Sequence, residues 1–243
     1  MKNHTRVVVI GASSGIGQEV ARLFLDRGCR LGIAARREDR LQALKQLAPD
    51  RVEVATIDVT ACDAPGRLRE LIDRLGGMDL FFYASGIGKQ NRELTPDVEL
   101  TTVNTNAMGF TRMIGEAYRY FAERGEGHIA AITSIGGTKG LGPAPSYSAT
   151  KAFQNLYLEA LEQQACSRGL KICFTDIRPG FVDTDLLSGD FKYPMMLSPV
   201  KVARHIVSAI DHKRHVKVID WKYAILTPLW RCLPRIIWRH LKL

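Results

Sequence analysis

Within the segment ITSIGGTKGLGPAPSYSATKAF, Ser134, Tyr147 and Lys151 set a hydroxyl, a phenol and an ammonium at a spacing suited to acid catalysis at a carbonyl. If Pro145 and Ser146 open a helix, Tyr147 and Lys151 stand at i and i+4, and their side chains rise from one face of its first turns. A free tyrosine, with a pKa of about 10, is a poor proton donor near neutrality. An ammonium beside it stabilises the phenolate, and the positive end of the helix pushes the same way. Tyr147 would then give a proton to a developing alkoxide and take one back in the reverse direction. Alternatively, Tyr147 packs and Lys151 is solvated, because a lone Y-x-x-x-K is short and built from common residues.

A second constellation lies near the N-terminus. Val7-Val8-Val9-Ile10 is an apolar, β-branched run of the kind expected for a buried parallel strand, and GASSGIG follows at once. Gln18 to Arg27 then reads as a helix, with Val20, Leu23, Phe24 and Leu25 between charges and Gly28 as a C-cap. Gly11, Gly15 and Gly17 would permit a tight turn there. The backbone around Ser13, Ser14 and Ile16 could then approach a pyrophosphate at the helix N-terminus. The spacing is G-x-x-x-G-x-G, not G-x-G-x-x-G, so the dinucleotide fingerprint is met in mechanism and not in letter; a purely structural glycine turn is the other possibility.

Together these motifs resemble the short-chain dehydrogenase/reductase family over roughly Arg6 to His212. Members carry the same glycine spacing, a serine thirteen residues before a Y-x-x-x-K, and a proline-glycine element after the sixth strand. Here that last element is Arg178-Pro179-Gly180-Phe181-Val182-Asp183-Thr184. The family's N-x-x-G pattern selects Asn106, with Gly109 three residues on, ahead of Asn104. The resemblance implies that Ser134 hydrogen-bonds the substrate carbonyl and that Tyr147 is the general acid/base. Lys151 would lower the tyrosine pKa and hold the nicotinamide ribose hydroxyls, and Asn106 would position a water that resupplies protons. Asp58, followed by Val59, resembles the adenine contact; Pro179, Gly180, Val182 and Thr184 resemble the residues beside the carboxamide and phosphates. Where the family has N-N-A-G this chain reads Tyr83-Ala84-Ser85-Gly86, which leaves Gly86 as a backbone contact and Ser85 as a candidate.

Ala35-Arg36-Arg37 closes the second strand pattern without the acidic residue that NAD-preferring members carry there. Arg36 and Arg37 could grip a 2′-phosphate by charge-assisted bonds, so the expected cofactor is NADP(H); as ordinary helix-start charges they would do nothing of the kind. The resemblance further implies a homodimer or homotetramer, with helices around Asn106 and Tyr147 packed between subunits.

Such side chains need a scaffold. The 243 residues fit one α/β domain, residues 1–220, with a Rossmann-like doubly wound parallel sheet of about seven strands. Strands are expected near Val7 to Ile10, Arg30 to Ala35, Val52 to Ile57, Met78 to Tyr83, Ile129 to Thr133, Lys171 to Ile177 and Val216 to Ile219. Cys29, Cys62, Cys166, Cys173 and Cys232 are widely spaced and contain no CxxC, and no signal-peptide pattern precedes the first strand, which suggests a cytoplasmic protein. His212 and His215 lack a third partner, so no metal is expected.

Charge is uneven. Residues 201–243 hold 10 Lys/Arg against 2 Asp/Glu, whereas the first 200 residues are nearly balanced. Residues 221–243 form a basic, aromatic C-terminal segment in which Trp221, Trp230 and Trp238 alternate with leucine, isoleucine and cations. It suits peripheral contact with anionic lipid, or equally a cover over the substrate cleft or a subunit contact. No nucleic-acid module accompanies the charge. Between Asp185 and Pro199, Leu186, Leu187, Phe191, Tyr193, Met195, Met196 and Leu197 favour a hydrophobic carbonyl compound, if they do not merely pack under a loop, and the expected partner is a small-molecule carbonyl or alcohol substrate. The expected activity is NADPH-dependent carbonyl reduction. Ketoacyl reduction in fatty-acid or lipid synthesis, and NADP(H) sensing without turnover, are the alternatives.

Overall fold

The apolar run that opens the chain becomes β1 (Arg6–Ile10), an interior strand of a seven-stranded parallel sheet in a computed structural model that describes residues 5–184 and 195–241. The other strands are β2 (Arg30–Ala35), β3 (Val52–Thr56), β4 (Leu80–Tyr83), β5 (Glu126–Ile132), β6 (Lys171–Arg178) and β7 (Val216–Val218). All seven fall where the sequence places them. Their order in the sheet is β3-β2-β1-β4-β5-β6-β7, so the winding reverses between β1 and β4 and opens a crevice beyond the strands' carboxyl ends.

Alternation along each strand feeds two cores. Val7, Val9 and Phe82 face the layer of α1 (Gly15–Asp26) and α7 (Pro199–Asp211), where Phe24, Ile206 and Ile210 are buried. Val8, Phe81 and Tyr83 face α3 (Ala64–Leu75), α5 (Phe110–Arg124) and α6 (Pro145–Ser167). Both faces of the central strands are covered, which is why they read as continuous apolar runs. At the departure from the family's asparagine pair, Tyr83 is fully buried and meets Phe110 edge-on at 5.1 Å, so ring packing holds that part of the sheet.

Helix α2 (Glu38–Lys45) follows β2, and α4 (Pro96–Val103) leads into a π-helical stretch, Asn104–Gly109. Helix α1 starts at Gly15, earlier than the apolar periodicity indicates, so the end of the glycine turn forms the first residues of the helix. The C-terminal segment folds as α8 (Trp221–Cys232) and α9 (Arg235–Trp238). Among the described residues, no helix is long and apolar enough to cross a membrane.

Candidate active site

A cleft of about 800 Å³ lies at the carboxyl ends of β1, β4, β5 and β6, walled by the glycine turn, the start of α6 and one face of α8. Its size falls in the range of cofactor and ligand sites.

At the phosphate end the backbone is drawn tight. Gly11 takes φ +88°, and a Cβ there would stand 2.8 Å from Ala84 C and Ser85 N. A Cβ on Gly17 would stand 2.2 Å from the Gly11 carbonyl oxygen, so only glycine lets α1 start directly against the turn. Arg37 spans this loop, its Nη2 donating to Ser14 Oγ at 2.6 Å and to Ser13 Oγ at 3.3 Å. Arg36 is exposed at the cleft wall beside buried Ala35. Asp58 Oδ1 accepts from Thr60 N at 2.9 Å and Thr60 Oγ1 at 2.7 Å, and these two bonds hold its carboxyl below the usual range.

At the reactive end, proline at the start of α6 sets the helix where the sequence predicts it. Lys151 Nζ lies 5.8 Å from the Tyr147 ring centroid. It donates to Gln154 Oε1 at 2.9 Å and to the Ile132 carbonyl at 3.3 Å. Burial pulls the lysine down to about 8. Ser134 begins a tight turn, Ile135–Thr138, and its Oγ accepts from Gly136 N at 2.9 Å, leaving the hydroxyl proton to donate elsewhere. A methyl placed on Gly136 would meet Ser134 Oγ at 3.2 Å and Tyr147 Cε1 at 3.3 Å, so serine and tyrosine flank the same glycine. Gly137 lies so close to α6 that a Cβ would reach the Lys151 carbonyl carbon at 2.5 Å.

Every residue that the sequence nominates for cofactor contact or catalysis lines this cleft except Asn106. Asn106 is fully buried behind the wall. Its Oδ1 accepts from Ile87 N at 2.9 Å and its Nδ2 donates to Ile87 O at 2.7 Å, which pins the loop after β4. Its main-chain carbonyl accepts from Gln154 Nε2 at 2.8 Å. Sequence reasoning missed Gln154, although it stands at i+3 from Lys151 on the same helix. It also missed Lys139 and Tyr223, which tie α8 to the cleft. Of the nominated substrate region, Leu186, Leu187, Phe191 and Tyr193 lie outside the described residues, and Met195 lines the cleft.

These groups fit a nicotinamide dinucleotide: a cradle that a Cβ would fill, a helix N-terminus, two arginines at the second strand's end, and a buried ammonium at the opposite end.

Known proteins share this fold. The pattern described as short chain dehydrogenase matches residues 5–192. An uncharacterized oxidoreductase of Mycobacterium tuberculosis is 31% identical over 242 residues, covering 96% of this chain and 92% of that protein. A short-chain dehydrogenase from Streptomyces avermitilis superposes with a TM-score of 0.82 at 22% identity, covering 94% of this chain and 92% of that one. An actinorhodin polyketide ketoreductase with NADPH superposes at 0.76 with 26% identity, covering 89% of this chain and 95% of its own.

Proposed function

The chain belongs to the short-chain dehydrogenase family of oxidoreductases, and from that premise we propose that it reduces the carbonyl of a hydrophobic substrate with NADPH. The observation that carries this reading is that Ser134, Tyr147 and Lys151 line one cleft, with Ser134 Oγ and the Tyr147 ring both beside Gly136 and the Lys151 ammonium 5.8 Å from that ring. When bound, NADPH supplies the hydride to the carbonyl carbon. Ser134, its oxygen already engaged by Gly136 N, turns its proton toward the carbonyl oxygen. Tyr147 delivers the proton that completes the alcohol, and the Lys151 cation favours the phenolate left behind. Leu141, Phe181, Met195 and Leu226 give the substrate end an apolar lining, which supports a hydrophobic carbonyl compound. A panel of steroids, long-chain ketones, ketoacyl thioesters and small diketones, followed by NADPH absorbance, tests the substrate class. Ketoacyl thioesters belong in it because of the likeness to the polyketide ketoreductase.

Cofactor preference rests on Arg36 and Arg37 beside Ala35, where a carboxylate would repel a 2′-phosphate. Arg36→Asp should lower kcat/KM for NADPH by about ten- to a hundredfold, the worth of a charge-assisted bond, with little effect on NADH. Equal efficiency of the unmodified protein with both nucleotides would overturn the preference.

Leu100, Val103, Met108, Phe153 and Leu156, exposed on α4, the π-helical stretch and α6, support a homodimer or homotetramer joined through these helices.

A further inference from the structure

Helix α8 has two faces. Tyr223 and Thr227 are buried toward the protein, and Leu226 and Trp230 line the cleft. On the opposite side Trp221, Ile225 and Leu229, at i, i+4 and i+8, are 68%, 57% and 64% exposed. Beyond Pro234, Ile236, Ile237 and Leu241 are exposed as well.

The segment is firmly held from within, so the outer face is not a fraying end. Trp230 Nε1 donates to Thr138 Oγ1 at 2.7 Å, and Trp238 Nε1 donates to the Gly140 carbonyl at 2.8 Å. Lys139 Nζ donates to the carbonyls of Trp230 and Arg231 at 3.0 and 3.3 Å, closing the negative end of α8. Two of the three tryptophans are thereby turned to the protein. Trp221 is the outward one.

Charge selects the occupant. Lys222, Arg231, Arg235 and Arg239 are exposed among these apolar residues, and residues 221–243 contain five Lys/Arg and no Asp/Glu. A second copy apposed through this face would bring cation against cation. A nucleic-acid backbone would leave the apolar stripe in water. An anionic lipid surface satisfies both features, with apolar side chains at the acyl boundary and cations among the headgroups. We propose that the outer face of residues 221–241 seats the protein on the surface of an anionic bilayer, with the cleft wall formed by Leu226 and Trp230 close to the lipid.

The full chain should sediment with vesicles of phosphatidylcholine and phosphatidylserine, much less with phosphatidylcholine alone, and less as salt is raised. Ile225→Glu with Leu229→Glu should lower the partition at least about tenfold while thermal melting is unchanged. Absence of vesicle binding, or a double variant that binds as the parent does, overturns the proposal. So does a double variant that elutes as a smaller species on gel filtration while the parent does not bind vesicles, since the face would then belong to a second copy. Duplex DNA binding that survives the double variant, without vesicle binding, would also overturn it.

A different observation carries a second inference, which rests on the reductase reading. The fully buried Gln154 amide bridges the Asn106 carbonyl and Lys151 Nζ, at 2.8 and 2.9 Å. We infer that Gln154 is a positioning residue that holds the Lys151 ammonium in place and protonated beneath Tyr147. With burial pulling that lysine down to about 8 against the opposing charge of the Asp176 carboxylate, reduction should fall as pH rises through that value and the cation is lost. Gln154→Leu removes an acceptor that favours the charged form, so the alkaline limb should move to lower pH by about one unit. Gln154→Glu, of the same shape, should move it to higher pH and serves if the leucine variant does not fold. An unmoved limb in the glutamate variant overturns the role of Gln154, whereas a parent protein that reduces no carbonyl overturns the underlying reading.

Discussion

Tyr147→Phe should keep NADPH bound and lose reduction, with kcat falling by about a hundred- to ten-thousandfold. The change deletes one oxygen. The ring that packs within contact of Gly88 remains, as does the face presented to Lys151, so folding and the nucleotide cradle stay intact. Turnover followed by NADPH absorbance, beside NADPH binding followed by its fluorescence, separates the two effects. Undiminished turnover would show that the proton comes from elsewhere. A parent protein that binds NADPH and reduces nothing across the substrate panel would point instead to nucleotide sensing.

Gly17→Ala should damage stability and nucleotide binding together. Its new Cβ would lie 2.2 Å from the Gly11 carbonyl oxygen and 2.9 Å from the Gly11 carbonyl carbon, both backbone atoms that cannot swing aside. Relief requires α1 to move away from the end of β1, an overpacking that costs about 1–3 kcal/mol or more. For a domain of this size that is a fall in Tm of roughly 2–4 °C per kcal/mol, read from melting curves. Because the same movement displaces the helix N-terminus, added NADPH should raise the variant's Tm much less than the parent's. Gly142→Ala is the control: a Cβ there meets nothing within 4 Å, and its melting and its response to NADPH should be ordinary.

The difference between these two glycines cannot be read from spacing alone, and the same holds for much of the site. Local pattern reveals what depends on neighbours in the chain. The seven apolar runs announce the strands, Pro145 announces α6, and Tyr147 with Lys151 announces a shared helix face. Asn106 is legible as a motif residue, but its burial behind Ile87 is not, because the π-helical turn that puts it there depends on packing between α4, α5 and α6. Gln154 is an unremarkable helical residue until the fold brings the Asn106 carbonyl within 2.8 Å of it. The three tryptophans look alike in sequence; only the long-range partners Thr138 and Gly140 separate the two that face inward from the one that does not.

Lys139 sits five residues after Ser134 and reaches across some ninety positions of chain to the carbonyl end of α8. Helix α8 and the turn that follows Ser134 are therefore one mechanical unit. Loosening of the last helical turns by heat or by a bulky fusion would be felt first at the serine, with the sheet still intact. Loss of activity and loss of fold would then be two separate events, the former at the lower temperature.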